Sequence, residues 1–157
     1  MSELETMLED PMVLRELIMD HYKYPHNHSL TEDMKYRRVH MASESCIDDI
    51  TVQSDIEDGV IRDIRFDGTA CTISTASTSI MSDLLKGKTV AEAKRLISEY
   101  MNMVDGKPYD GAALEEAVAM KNVYRQANRI KCATIGWNAM KQMIEESEGE
   151  HDGTGEQ

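Results

Sequence analysis

The chain is expected to fold as an α+β domain, because strand-like and helix-like patterns occupy separate stretches of it. Three short apolar runs fall between Arg37 and Phe66: Val39 and Met41, then Ile50, Val52 and Ile56, then Val60, Ile61, Ile64 and Phe66. Asp58-Gly59 is a tight-turn signal between the last two runs, and Asp67-Gly68 is read as a second turn that closes the third. Short strands joined by tight turns predict an antiparallel meander. After Gly68 the apolar spacing is helical to the end of the chain.

The elements follow in order. Asp10-Pro11 has the form of a helix start, an acidic cap followed by Pro at the first helical position. Val13, Leu14, Leu17 and Ile18 supply its apolar face, and Pro25 ends it. Residues 25–36 are polar and read as a loop. Cys71 to Leu85 is rich in Ser, Thr and Ala, small side chains that let a helix approach its neighbours closely. Thr89 with Glu92 forms a capping box ahead of Ala93, Leu96, Ile97, Tyr100 and Met101. Leu114, Ala117, Val118 and Met120 predict a short helix. The last helix is expected over about residues 132–146, with Ile135, Trp137, Met140, Met143 and Ile144 inward. Residues 1–147 are read as a single domain, and residues 148–157 as a disordered acidic tail, since almost nothing apolar remains there.

Composition narrows the function. The 157 residues include 17 basic and 29 acidic side chains, a net charge of −12. Phosphate contacts need Lys and Arg, so no nucleic-acid partner is expected. The charge chiefly keeps the chain soluble, and it also suits docking on a basic patch of a partner protein. No apolar run reaches the length of a membrane span, and Met1-Ser2-Glu3-Leu4-Glu5 is no signal region, so no membrane partner and a cytoplasmic location are expected.

Thiols stay reduced in the cytoplasm, and three cysteines make an odd set for a disulfide framework. Cys46, Cys71 and Cys132 are therefore core residues, a nucleophile or a metal site. Each falls at a boundary between elements. Cys71 and Cys132 are both expected at helix starts, where the partial positive charge of the helix N-terminus favours the thiolate. Asp48 joins them on strand alternation: two residues from Cys46, it points to the same side, while Asp49 points away. Three sulfurs and one carboxylate oxygen make a complete tetrahedral set for zinc. His21, His26 and His28 lie far in sequence from the cysteines and are read as loop and helix-end residues with no metal role. His40 is on the first strand and is not assigned to the site. Arg129 and Lys131 flank Cys132 and are read as solvated.

Three segments resemble the SufU/IscU family of iron–sulfur cluster assembly proteins. Asp67-Gly68-Thr69-Ala70-Cys71-Thr72-Ile73-Ser74-Thr75-Ala76-Ser77 is similar to its second-cysteine motif, and Arg129-Ile130-Lys131-Cys132-Ala133-Thr134-Ile135-Gly136-Trp137 to its third. Leu17-Ile18-Met19-Asp20-His21-Tyr22-Lys23-Tyr24-Pro25-His26-Asn27 resembles its N-terminal helix. The likeness covers about residues 10–146. The long interval between Cys71 and Cys132, and Lys131 where the IscU branch has His, favour the SufU branch. One position departs: the family's Cys-Gly-Asp reads Cys46-Ile47-Asp48 here.

The resemblance implies a three-stranded antiparallel sheet with helices packed on one face. It implies zinc held by Cys46, Asp48, Cys71 and Cys132, and a SufS-like cysteine desulfurase as partner alongside other cluster-assembly proteins. The implied role is zinc-dependent sulfur acceptance, sulfurtransferase-like, with Cys46 taking persulfide sulfur. The alternatives are a scaffold holding iron or a nascent iron–sulfur cluster on the same four residues, and a structural zinc protein without sulfur transfer.

Overall fold

The computed structural model describes residues 3–42 and 47–156. Three strands, β1 (Arg37–Ala42), β2 (Asp49–Glu57) and β3 (Val60–Thr69), form an antiparallel sheet in the order β1-β2-β3. The helices are α1 (Glu3–Met7), α2 (Pro11–Lys23), α3 (Thr72–Leu85), α4 (Val90–Val104), the one-turn α5 (Gly111–Leu114) and α6 (Ala127–Glu156), with 3-10 turns at Glu115–Met120 and Val123–Arg125.

The predicted turn and caps are present in atomic detail. Asp58 and Gly59 both take positive φ, the conformation that a two-residue hairpin demands. Asp10 accepts the Met12 N–H at the start of α2, and Thr89 accepts the Glu92 N–H at the start of α4. Between Asp55 and Ile56 the pairing slips by one residue, and Arg62 is the extra one. That bulge explains why Ile61 and Ile64, three apart, both lie in the core beside Phe66.

Three details correct the sequence reading. Asp67-Gly68 is not a turn: β3 runs on through Thr69, and Gly68 pairs with Ile50. Glycine is needed there because φ is +137° and a Cβ would stand 2.1 Å from the Asp49 carbonyl oxygen. In place of one short helix, Leu114 closes the one-turn α5, and Ala117, Val118 and Met120 fall in the 3-10 turn that follows. The last helix begins at Ala127, ahead of the expected 132, because its first turn is exposed and carries no apolar face to read. Its backbone continues to Glu156, and Ile144 is the last buried residue among those whose side chains are described.

Helices α3 and α6 pack on one face of the sheet and on each other. The close approach uses small residues: a Cβ on Gly136 would stand 2.5 Å from Thr78 Oγ1. At their crossing lies a buried polar knot. Ser77 Oγ and Tyr100 Oη both reach the Ala133 carbonyl, at 2.6 and 2.7 Å. Trp137 Nε1 donates to Ser77 Oγ at 3.0 Å, and its ring stacks on Tyr100 at 3.7 Å. Burial pushes the Tyr100 hydroxyl above its ordinary range, so it stays a donor. On the opposite face of the sheet the loop after α2 covers the region of Gln53, which exchanges two hydrogen bonds with the Thr31 backbone.

Candidate metal centre

The antiparallel register decides which residues meet at one end of the sheet. Asp49 pairs with Thr69, so the residue before β2 and the residues after β3 lie side by side. Those residues are Asp48 and Cys71. Asp48 Oδ1 accepts the Cys71 N–H at 2.9 Å, and its Oδ2 accepts the Ser74 hydroxyl. Asp48 precedes β2 by one residue, so the strand-alternation argument does not apply to it; burial is what sets the two aspartates apart. Asp48 is buried, while Asp49 is exposed and pairs with His40.

Cys71 is the N-cap of α3, and its sulfur accepts the Ser74 N–H at 3.4 Å. It stands at a helix start, as the sequence predicts. Cys132 does not. It sits in the second turn of α6, buried, with its thiol turned to the Asn128 carbonyl at 3.8 Å. Burial, then the neighbouring Cys71 and Asp48, push that thiol up to about 12.

Asp48, Cys71 and Cys132 each bring a ligand atom within 4.8 Å of the other two. Cys46 lies outside the described residues. One carboxylate and two thiols gathered in a largely buried place resist ionising together, and a cation removes that conflict. The donor types, S, S and O, fit zinc or iron. Ile47, at the family's glycine position, turns its side chain to solvent. Arg129 and Lys131 are exposed.

Ser74 was missed by the sequence reading. It stands three residues after the N-cap, the position where a side chain closes a cap, and that spacing was the available signal. It touches Asp48 and also Cys71, whose sulfur is 3.3 Å from its hydroxyl. Ser74→Ala is expected to weaken metal binding by about 10- to 100-fold, as loss of a ligand-orienting hydrogen bond does. Competition against a chromophoric chelator measures it.

A three-stranded meander with helices on one face, and a thiol–carboxylate cluster at its end, define a class of small metal-binding assembly domains. The chain belongs to the NifU-like N-terminal domain family, whose model matches residues 14–133. It is 35% identical over 136 residues to the zinc-dependent sulfurtransferase SufU of Bacillus subtilis, covering 86% of this chain and 91% of the relative. It is 36% identical over 132 residues to the iron–sulfur cluster assembly scaffold protein IscU of Streptococcus pyogenes, covering 83% and 82%. Among solved structures, a candidate cluster assembly scaffold for the SUF system from Fervidobacterium islandicum matches with a TM-score of 0.76 at 30% identity, covering 80% of this chain and 92% of that one. The N-terminal domain of a NifU-like protein from Brucella abortus, 20% identical with a TM-score of 0.71, shares the fold; the match covers 92% of this chain and 99% of that one.

Proposed function

We propose that this chain serves iron–sulfur cluster assembly as a zinc-dependent sulfur acceptor, with Cys46, Asp48, Cys71 and Cys132 as the metal ligands. The observation that carries the reading is the convergence of Asp48, Cys71 and Cys132 from three separate elements. Zinc, when bound, holds the thiols as thiolates at neutral pH. Asp48 and Ser74 keep Cys71 in place, and the Ala133 anchor keeps Cys132 in place. Cys46 is the acceptor. Its thiolate attacks the outer sulfur of a persulfide on a SufS-like cysteine desulfurase. A new S–S bond forms on Cys46, the old one breaks, and the desulfurase thiolate leaves. Residues 1–147 are the working domain, residues 148–157 are an acidic tail outside it, and the reducing cytoplasm is the setting. No helix among the described residues is long and apolar enough to cross a membrane.

Cys46→Ser tests the assignment. Incubated with desulfurase and free cysteine, the wild-type chain is expected to gain a sulfur atom by mass spectrometry under non-reducing conditions, and Cys46→Ser to gain none. Sulfur acceptance by Cys46→Ser at the wild-type rate would exclude Cys46 as acceptor. The second reading, a scaffold for a nascent cluster on the same residues, is favoured by the likeness to the Streptococcus pyogenes scaffold. Protein purified anaerobically decides between them. About one zinc per chain without acid-labile sulfide supports the acceptor, and iron with sulfide supports the scaffold.

A further inference from the structure

We infer that His21, His26 and Asp83 form a second divalent-cation site, of the zinc-like class that prefers imidazole, at the opposite end of α3 from the thiol cluster. The sequence reading gave these histidines no metal role, because they are far from every cysteine. The fold brings them instead to an aspartate. His21 comes from the end of α2, His26 from the loop after it, and Asp83 from the last turn of α3. Each offers a ligand atom within 4.8 Å of the others. The two imidazoles face each other with centroids 4.6 Å apart.

Their surroundings orient them. Ser79 Oγ lies 2.7 Å from His21 Nδ1 and accepts the His26 backbone N–H at 2.8 Å. One serine thus fixes both the buried ring and the loop that carries the second. Asn27 Nδ2 donates to Asp83 Oδ1 at 3.2 Å, while Asp83 Oδ2 faces His26 Nδ1. Glu116 Oε1 stands 3.1 Å from His21 Nε2 and supplies a further carboxylate. His21 is held as metal-binding histidines are, with a ring nitrogen tied to the Ser79 oxygen while the other faces a carboxylate. Asp83 and Glu116 also line an open cavity of about 130 Å³, so water reaches the carboxylate side of the cluster.

Two imidazoles and one or two carboxylates suit zinc, nickel or cobalt over magnesium or calcium. The site is independent of the thiols. Cys71 and Asp83 are twelve residues apart along α3, about 18 Å at a helical rise of ~1.5 Å per residue. No ion is shared across that distance.

Cobalt(II) is the probe, added to protein that carries a single equivalent of zinc, enough for the thiol cluster alone, and followed by equilibrium dialysis and absorption. One further equivalent is expected, with the weak visible bands of nitrogen and oxygen ligation and without the intense near-ultraviolet band of thiolate ligation. His26→Ala and Asp83→Asn, both at well-exposed side chains, are expected to weaken it by about tenfold or more. His40→Ala, at the exposed His–Asp pair on β1, is expected to leave it unchanged. Three results would overturn the proposal: no further equivalent, a thiolate band accounting for all bound cobalt, or wild-type affinity in His26→Ala and Asp83→Asn.

Discussion

Asp48→Ala is expected to cut bound zinc from about one per chain to a small fraction of that, and to weaken the fold as well. The carboxylate has two duties that the substitution separates from neither side: it is a proposed ligand, and it satisfies the Cys71 N–H and the Ser74 hydroxyl. Leaving those buried donors without an acceptor costs about 1–3 kcal/mol each. Asp48→Asn splits the duties, since an amide oxygen still accepts from Cys71 but has no charge for the metal. The expected order of zinc affinity is wild type, then Asn, then Ala. The expected order of metal-free stability keeps Asn near wild type.

Thermal unfolding with and without a chelator checks the same point. A ligand present at about 100 times its Kd stabilises the native state by ~2.7 kcal/mol. In a chain of this size that is a fall in Tm of roughly 5–10 °C on chelation. Asp48→Ala is expected to show almost no chelator effect. An undiminished fall in the variant would remove Asp48 from the ligand set.

The second large effect is expected in the core. Trp137→Ala should destabilise the metal-free chain by about 3–5 kcal/mol, a large part of the roughly 5–15 kcal/mol typical of a domain. Trp137 is fully buried, stacks on Tyr100 and donates to Ser77. Its removal leaves a cavity and loosens the knot on the Ala133 carbonyl, next to Cys132. Zinc affinity should therefore fall along with stability. Trp137→Phe keeps most of the apolar volume but loses the N–H donor, and is expected to cost about 1 kcal/mol. Urea unfolding measures both. A Trp137→Ala chain as stable as wild type would mean that the α3–α6 crossing is not where the core's stability resides.

Much of the fold was legible because local rules and tertiary packing agree. The Asp58-Gly59 hairpin, the Asp10 and Thr89 caps and the inward positions Trp137, Met140 and Met143 are read from short spacings and recur in the structure. Where local rules misled, a tertiary contact had taken over. Gly68 looks like half of a turn, but it is a strand residue pressed against the Asp49 carbonyl. Cys132 looks like the opening of a helix, but an exposed first turn precedes it. Its thiol accordingly lacks the helix-start stabilisation expected for it and is pushed up by burial.

The sequence by itself determined the types of candidate ligand and the order of strands and helices, while the burial that sets Asp48 apart from Asp49 came from the fold. The first two follow from residue type and short-range period, which the chain fixes before it folds. Only the tertiary structure decided that Asp48 meets Cys71 through the β2–β3 register, that Ser74 closes the gap between them, and that Cys132 is delivered by the anchoring of Ala133. It likewise decided that two histidines near the end of α2 meet an aspartate fifty-seven residues beyond His26. Pairings across such separations depend on the register and crossing of whole elements, and these are set by how buried surfaces fit, not by any local spacing.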